Sequence, residues 1–549
     1  MDFYRAFLAI FLSFLILLGW QYFLVPPAPE QIPPSTQTGE NKEGTGNQTA
    51  PLAAAVQQTP SVVPSLPIDP EAKNITVETS LYKAVIKGQG GGFQSFILKN
   101  YRSELDQNSE PMQLITEENP ARLPMLFSLD NAASQHLFTF QSDQTNLVLN
   151  EQQSKATLVM RAVFSEGINI LRTLTFRDDS YLIEVTYQIE NTTDSPVQIS
   201  PALLLFNTPF AHASQTSQFL FSGPAAFING SLVETETKKL KDGPVILQGT
   251  VSWAGFVDNY FMTAVVPLQG GLHTITLQGS SQEVRTVISE GIRTLSAHEE
   301  QSFTYIMYFG PKKLQILQAA GHDLAYAVDF GWFDILAKPM LWLLNFFYKY
   351  SGNYGVAIIL LTVLIKLIFW PITQKGMKSM KNMQKLQPKI AKLREKFKGD
   401  PAKMNQEMMA LYKTYKVNPF GGCMPMLLQL PFFFALYKVL IATIELRHAP
   451  FMLWINDLSA PDRLWIGFDI PYLHGLPVLT LLMGASMYLQ QKLTPTMIAD
   501  PTQARIMQFL PLIFTFIFIN FASGLVLYWL VNNLLSILQQ QLINRQSKA

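Results

Sequence analysis

Apolar positions along this chain follow different rhythms in different stretches: continuous runs, strict alternation, and steps of three and four. Each rhythm predicts a different element. An almost uninterrupted apolar run, Ala6 to Val25, follows Met1-Asp-Phe-Tyr-Arg5. Its length is nearer that of a spanning helix than of a signal-peptide core, and Gln21 to Pro26 has no small-x-small cleavage pattern. Residues 1–25 are therefore expected to be an uncleaved signal anchor, with Arg5 and the terminal amine keeping its N-terminus in the cytoplasm. Residues 26–70, rich in Pro, Gln, Thr, Ser and Ala, cannot bury enough apolar surface to fold and read as a flexible linker. Over 71–320 the pattern changes to alternation, as in Ala84-Val-Ile-Lys, Ile168-Asn-Ile-Leu-Arg-Thr-Leu-Thr-Phe and Tyr181-Leu-Ile-Glu-Val-Thr-Tyr-Gln-Ile. Many such strands separated by turn residues predict a large antiparallel β-sandwich outside the membrane.

Beyond it the rhythm becomes helical. Residues 330–350 read as an amphipathic helix at the outer membrane surface: Asp334, Lys338, Asn345 and Lys349 fall on one face, with Trp332, Trp342 and Tyr348 as interfacial aromatics. Residues 351–373 contain the apolar stretch Tyr354 to Thr373, long enough to cross a bilayer. Residues 374–418 step by three and four through Met383, Leu386, Ile390, Leu393 and Phe397, and again through Met404, Met408, Leu411 and Tyr415 after Lys398-Gly-Asp-Pro401. Two helices joined by that turn predict an antiparallel coiled hairpin. Residues 419–544 hold four further apolar segments, Cys423 to Thr443, Leu476 to Gln491, Ile506 to Phe521 and Leu525 to Leu542. The predicted fold is thus mixed: six transmembrane helices, an outer antiparallel sandwich and a cytoplasmic helical hairpin.

Charge fixes the direction of threading. Only 15% of the 549 residues are charged, against about 25% in soluble proteins. The net charge of +1 sums very unequal segments, since the hairpin holds a dense run of Lys while the loop Glu445 to Gly475 holds Glu445, Asp457, Asp462 and Asp469 against Arg447 and Arg463. By the positive-inside rule the hairpin is cytoplasmic and that loop is outside, and six spans with both termini inside satisfy every loop. The bland reading of the hairpin's charge is a solvated face near anionic lipid; the sharper one is docking to an acidic partner such as ribosomal RNA.

Candidate chemistry is sparse. The single Cys423 excludes an intramolecular disulfide. Histidines are scattered, His298-Glu-Glu lacks the second His of a zinc-protease helix, no Gly-x-Ser-x-Gly elbow occurs, and Gly88-Gln-Gly-Gly-Gly-Phe lacks the third glycine of a dinucleotide loop. No enzyme activity, metal or cofactor is expected. The exception to this blandness is Lys366, roughly 18 Å from Tyr354 and roughly 10 Å from Thr373 along one helix at 1.5 Å per residue. A charge at such depth costs about 2.5–3.5 kcal/mol and marks a functional site by default. The competing reading is that its stem snorkels to the nearer face. Polar candidates for the same region are Thr362, Gln429, Gln508, Asn532 and Asn533, although such groups on spanning helices also serve as interhelical glue.

Several motifs in fixed order carry a family resemblance: Leu-Leu-Thr-Val-Leu-Ile-Lys-Leu-Ile-Phe-Trp-Pro around Lys366, Leu386-Gln-Pro-Lys-Ile, Asn418-Pro-Phe-Gly-Gly-Cys-Met-Pro-Met-Leu-Leu-Gln-Leu-Pro431, Thr494-Pro-Thr-Met and Ser523-Gly-Leu-Val-Leu-Tyr-Trp529. Nearly the whole chain resembles the YidC/Oxa/Alb membrane protein insertases, in the Gram-negative form with a large periplasmic domain. The resemblance implies an insertase and chaperone of the bacterial inner membrane, built on a five-helix core around a hydrophilic groove open to cytoplasm and lipid. It implies nascent inner-membrane proteins as substrates and the Sec translocase as a partner; contact with the ribosome through the basic hairpin rests on that hairpin's charge instead. Residue by residue, the groove cation maps to Lys366, its helix neighbour to Thr362, and the substrate-sliding face to Tyr528 and Trp529.

Two departures stand out. The family's bacterial members usually carry Arg at the groove cation, and Lys lacks its bidentate fork and near-permanent charge. Ala522-Ser-Gly replaces the family's frequent Pro-Ser-Gly and is expected to loosen the turn before the last helix. Two rival readings remain at this point. A secondary transporter with Lys366 as its ion site would show repeated halves and intramembrane carboxylates, which the chain lacks. A sandwich that is itself an enzyme or sugar binder, with the helices as anchor, rests on analogy alone.

Overall fold

The computed structural model describes residues 72–549 except 107, 131–136, 166, 211–220, 281, 398, 416–423, 472, 494–500 and 547–549. The expected signal anchor and linker lie outside the described residues. From Ile75 to Pro311 the chain forms β-strands, many with alternating buried positions, while Ala202–Asn207, Gly223–Ile228 and Phe261–Pro267 are buried throughout. In Ile168–Arg177 the inward set is Ile168, Ile170, Arg172, Leu174 and Phe176. A period of two places such a set on one face of a sheet. The largest sheet has eight antiparallel strands in the order Ser231–Glu234, Gly223–Ile228, Val251–Val257, Phe261–Pro267, Glu300–Pro311, Leu182–Asn191, Ile168–Arg177 and Lys155–Ser165. Its register sets Thr186 opposite Thr304, and their hydroxyls share a 3.1 Å bond.

Two five-stranded sheets cover its inner face. One runs Pro111–Thr116, Phe93–Arg102, Tyr82–Ile86, Ile75–Glu78 and Asn146–Val148, the last pair being parallel. The other runs Val245–Gly249, His273–Gly279, Val284–Ser289, Ala202–Asn207 and Leu126–Ser128. Aromatic contacts join the layers: Phe127 stacks on Tyr187 at 3.9 Å, and Phe93 meets Phe309 edge-on at 5.1 Å. The buried Arg172 guanidinium donates to Gly91 O and lies 5.4 Å from the Phe140 and Tyr187 ring centroids. Gly91 permits this approach, since it has φ +69° and a Cβ there would stand 2.4 Å from Arg172 Nη1.

After α1 (Leu314–Ala320) the helices begin. Helix α2 spans Asp334–Ser351, four residues later than the sequence reading starts it, because the short 3-10 turn Gly331–Phe333 precedes it. It buries Ala337, Met340, Leu341 and Leu344 against its neighbours, α3 and α5, and leaves Trp332, Ile335, Trp342, Phe346 and Tyr350 exposed on the opposite side. Helix α3 runs unbroken from Tyr354 to Lys396, so the apolar span and the first arm of the hairpin are one helix. Asn353 caps it by accepting from Val356 N at 3.1 Å. Pro371 and Pro388 lie within it. On the turn holding Pro371, Thr373 Oγ1 donates to Phe369 O and Trp370 O, and Gln539 Nε2 also donates to Trp370 O.

Asp400 caps α4 (Pro401–Thr414) through Lys403 N, with Pro401 at its first position. Helix α4 returns along α3, where Lys389 bonds the Tyr415 hydroxyl and sits 4.3 Å from its ring centroid. Four more helices follow: α5 (Met424–Ala442), α6 (Val478–Leu493), α7 (Pro501–Phe518) and α8 (Ser523–Gln546). Among the described residues one helix, over Tyr354–Leu393, is long and apolar enough to cross a membrane; Leu428–Ala442 and Gln508–Phe518 are shorter apolar helices. The expected count of six spans is not established by these helices, since the first expected span, 1–25, lies outside the described residues.

Candidate functional site

The site forms where α3 and α8 run side by side. Their polar contacts advance in the same direction along both helices: Lys366 with Asn532 and Ser536, Thr373 with Gln539, and Lys381 with Asn544. The two helices are therefore parallel. Asn532, Ser536, Gln539 and Asn544 recur at steps of three to five, which keeps them on one face of α8.

Lys366 is only 6% exposed. Its Nζ donates to Ser536 Oγ at 2.7 Å and to Asn532 Oδ1 at 3.3 Å. Asn532 Oδ1 also accepts from Gln429 Nε2 on α5 at 3.1 Å, so three helices meet at one amide oxygen. Among the described residues no carboxylate comes within 4.0 Å of Lys366. A buried cation held only by neutral oxygens keeps part of its demand for an anion. Thr362 lies one turn before Lys366, 2% exposed, with its hydroxyl donated to Ile358 O at 2.6 Å. Tyr528 and Trp529 pack around Phe433, at 6.2 Å and 5.1 Å between ring centroids, and the Trp529 Nε1 hydrogen is buried with no acceptor among the described residues.

Helix α7 meets this cluster at its C-terminal end, where Phe518 packs edge-on against Trp529 at 5.6 Å, while Gln508 is exposed and is not among the partners of Lys366. Asn533 turns toward α6 and donates to Ser486 Oγ at 3.0 Å, acting as interhelical glue. Ser536 and Gln539 were not singled out from the sequence, although the polar steps along α8 would have found them.

On the other side of Lys366, toward the helix ends that face the sandwich, the loop between α5 and α6 forms a tight cap. Asp462, 2% exposed, accepts from Trp454 Nε1 at 2.6 Å and from Leu479 N and Thr480 N at the start of α6. Arg463 Nη1 donates to Ile519 O at 2.8 Å and Nη2 to Asn520 Oδ1 at 2.9 Å. The Ala522-Ser-Gly turn is not loose: Ser523 Oγ donates to Asp457 O and Ala460 O, and Gly524 N to Leu458 O. Phe451 closes on α3 through Gly355, where a Cβ would stand 2.0 Å from its ring. Arg447 Nη2 donates to Ser103 O at 2.9 Å and stacks near Tyr260 and Phe261, which ties this cap to the sandwich.

Known proteins match along almost the whole chain. Residues 74–343 match the family model described as the YidC periplasmic domain, and residues 346–549 match the one described as 60Kd inner membrane protein. A membrane protein insertase YidC of Syntrophobacter fumaroxidans is 42% identical over 99% of this chain and 100% of its own length. The corresponding protein of Geobacter metallireducens is 40% identical over 99% of each chain. A solved structure described as an active YidC insertase with its first transmembrane domain resolved aligns at 18% identity and TM-score 0.35, over 85% of this chain and 92% of its own. With both family models matched in order and full-length relatives at this identity, the chain belongs to the YidC family of membrane protein insertases.

Proposed function

We propose that this chain inserts and helps fold inner-membrane proteins by offering their polar tails a partly hydrated path along α3 and α8, with Lys366 as the transient anchor for acidic groups. The observation that carries this reading is the buried Lys366 ammonium, supplied with two neutral oxygens and, among the described residues, no carboxylate. A polar segment crossing hydrocarbon alone faces several kcal/mol for each unsatisfied group. Polar side chains over half the path lower that cost. A tail carboxylate about 4 Å from the ammonium gains up to about 4 kcal/mol at an effective dielectric near 20, before desolvation is subtracted. That holds a tail transiently and still permits release, as the substrate's apolar helix partitions into lipid at about 25 cal/mol per Å². The membrane potential assists acidic tails in the same direction.

In this account the chain spans the inner membrane six times with both termini cytoplasmic, and 1–25, 351–373 and 419–544 supply the spans. Exposed apolar faces support a lipid surround: Phe509, Leu512, Ile513, Phe516 and Ile517 line one side of α7, and Leu367 and Ile368 lie outward on α3. Thr362, Gln429, Tyr528, Trp529 and Asn532 line the path beside Lys366, with Gln508 joining them only when α7 moves closer. The chain acts alone or with the Sec translocase, and the basic hairpin of α3 and α4 faces the ribosome or anionic lipid. The test is insertion of a single-span protein with an acidic outer tail into liposomes holding the purified chain, read by protease protection of the tail. Lys366→Arg is expected to insert, and Lys366→Ala and Lys366→Glu to fail. Equal insertion by all variants would reduce Lys366 to a snorkelling side chain.

A further inference from the structure

A second site lies where the sandwich meets the start of α2. A cavity of about 320 Å³ opens there, lined by Phe227, Leu232, Tyr326, Asp329, Asp334 and Lys338 among others. Phe227 and Tyr326 stack at 4.5 Å to form one wall. Lys338 Nζ pairs with Asp334 Oδ2 and stands 6.0 Å from the Tyr326 ring centroid. Asp334 Oδ1 accepts from Phe330 N at 2.9 Å, and Asp329 Oδ1 from Gly331 N at 2.8 Å. These bonds fix both carboxylates and leave each with acceptor capacity.

Two carboxylates against one ammonium give the lining an excess negative charge, with the single cation beside it. Its complement is a zwitterion whose ammonium carries N–H donors for Asp329 and Asp334 and whose anionic group meets Lys338. The aromatic wall favours the ammonium as well. Neighbouring residues say where such a group comes from. Trp332 and Ile335, 89% and 85% exposed, lie close to Asp334 in sequence, and Ile335 is followed along α2 by the exposed Trp342, Phe346 and Tyr350. Tryptophan and tyrosine concentrate at the depth of lipid headgroups. We propose that this cavity binds the phosphoethanolamine headgroup of an outer-leaflet aminophospholipid. A choline headgroup lacks N–H donors and is bound less well, and a glycerol headgroup lacks the cation altogether. The inference rests on the membrane-surface placement expected of residues 330–350 from the sequence.

The experiment incubates the full-length chain in detergent with phosphatidylethanolamine, phosphatidylcholine or phosphatidylglycerol and counts retained lipid by native mass spectrometry. The parent is expected to retain phosphatidylethanolamine in preference to the other two. Joint Asp329→Asn and Asp334→Asn, which preserves the acceptor for Phe330 N, is expected to lower that retention about tenfold, as the loss of charge-assisted bonds implies. Asp329→Asn alone removes an exposed charge without disturbing the fold and is expected to shift retention the same way by a smaller factor. Equal retention of phosphatidylcholine by the parent, or parent-like retention by both variants, overturns the proposal. Quenching of Trp332 emission by brominated lipid, taken as the difference from Trp332→Phe, tests the placement separately. Quenching with unchanged retention overturns the cavity site alone, and no quenching overturns the placement and the site together.

Discussion

The outer cap and the inner seam of the helical region treat buried charge in opposite ways. In the cap, Asp462 receives three N–H donors and Arg463 reaches the residues just after α7, so these two charges are matched where they stand, while Glu445 at the start of the same loop keeps Oε1 buried without a hydrogen bond among the described residues. In the seam, Lys366 has a hydroxyl and an amide oxygen. A satisfied buried charge fixes a structure, while an under-satisfied one recruits a partner. Under the proposed function, the contrast gives the sealed end a structural part and the other end the contact with substrate.

The largest expected effect comes from reversing the seam charge. Lys366→Glu should abolish insertion of acidic-tailed substrates, and Lys366→Gln, which keeps a donor for Ser536 and Asn532 without the charge, should slow it while leaving thermal unfolding close to that of the parent; a collapse of stability in Lys366→Gln would move Lys366 into the structural class of the cap. Asp462→Ala should do the converse. It strips the N-terminal acceptor from α6 and leaves the Trp454 Nε1 hydrogen unbonded, a cost of about 3 kcal/mol. Scanning calorimetry would register this as a clear fall in apparent Tm, with the preference for acidic tails intact in the protein that remains folded.

A smaller effect separates the two regions by pH. Burial holds the Glu445 carboxyl above its ordinary value, with the Lys313 charge and the Asn345 bond opposing that rise. The folded chain therefore binds this proton more tightly than the unfolded chain, and stability falls as pH rises from 4.5 through the elevated folded value. Glu445→Gln should raise apparent Tm by roughly 2–4 °C near neutral pH and change nothing at low pH, where both carboxyls are protonated. A Tm gain that persists in acid would point to packing instead. The smallest effect is expected at Thr362, whose hydroxyl is already bonded within its own helix: Thr362→Val should alter insertion less than twofold, about 0.4 kcal/mol.

Much of this contrast was legible in the residues. Alternation along Ile168–Arg177 and Leu182–Asn191 announced the sandwich, and Lys366 stood out because a cation interrupts an apolar run. The continuity of α3 was not legible, because Pro371 reads as a helix end, yet the helix runs through it and through Pro388 to Lys396. The cap was missed altogether. Its charges read as a solvated outer loop, and only tertiary structure brings Asp462 to Leu479 and Ser523 to Asp457. Gln508 was grouped with the site by residue type, yet its helix packs mainly on α6.

The central claim is that Lys366 acts on substrate charge, and a double-mutant cycle tests it most directly. Initial insertion rates would be measured for the parent and Lys366→Gln, each with an acidic-tailed substrate and with the same substrate carrying Asn and Gln in place of its Asp and Glu. The account predicts that Lys366→Gln slows the acidic substrate at least tenfold and the neutral one far less, a coupling of about 1.4 kcal/mol or more. Equal slowing of both substrates would contradict it, because Lys366 would then serve the helices and not the tail.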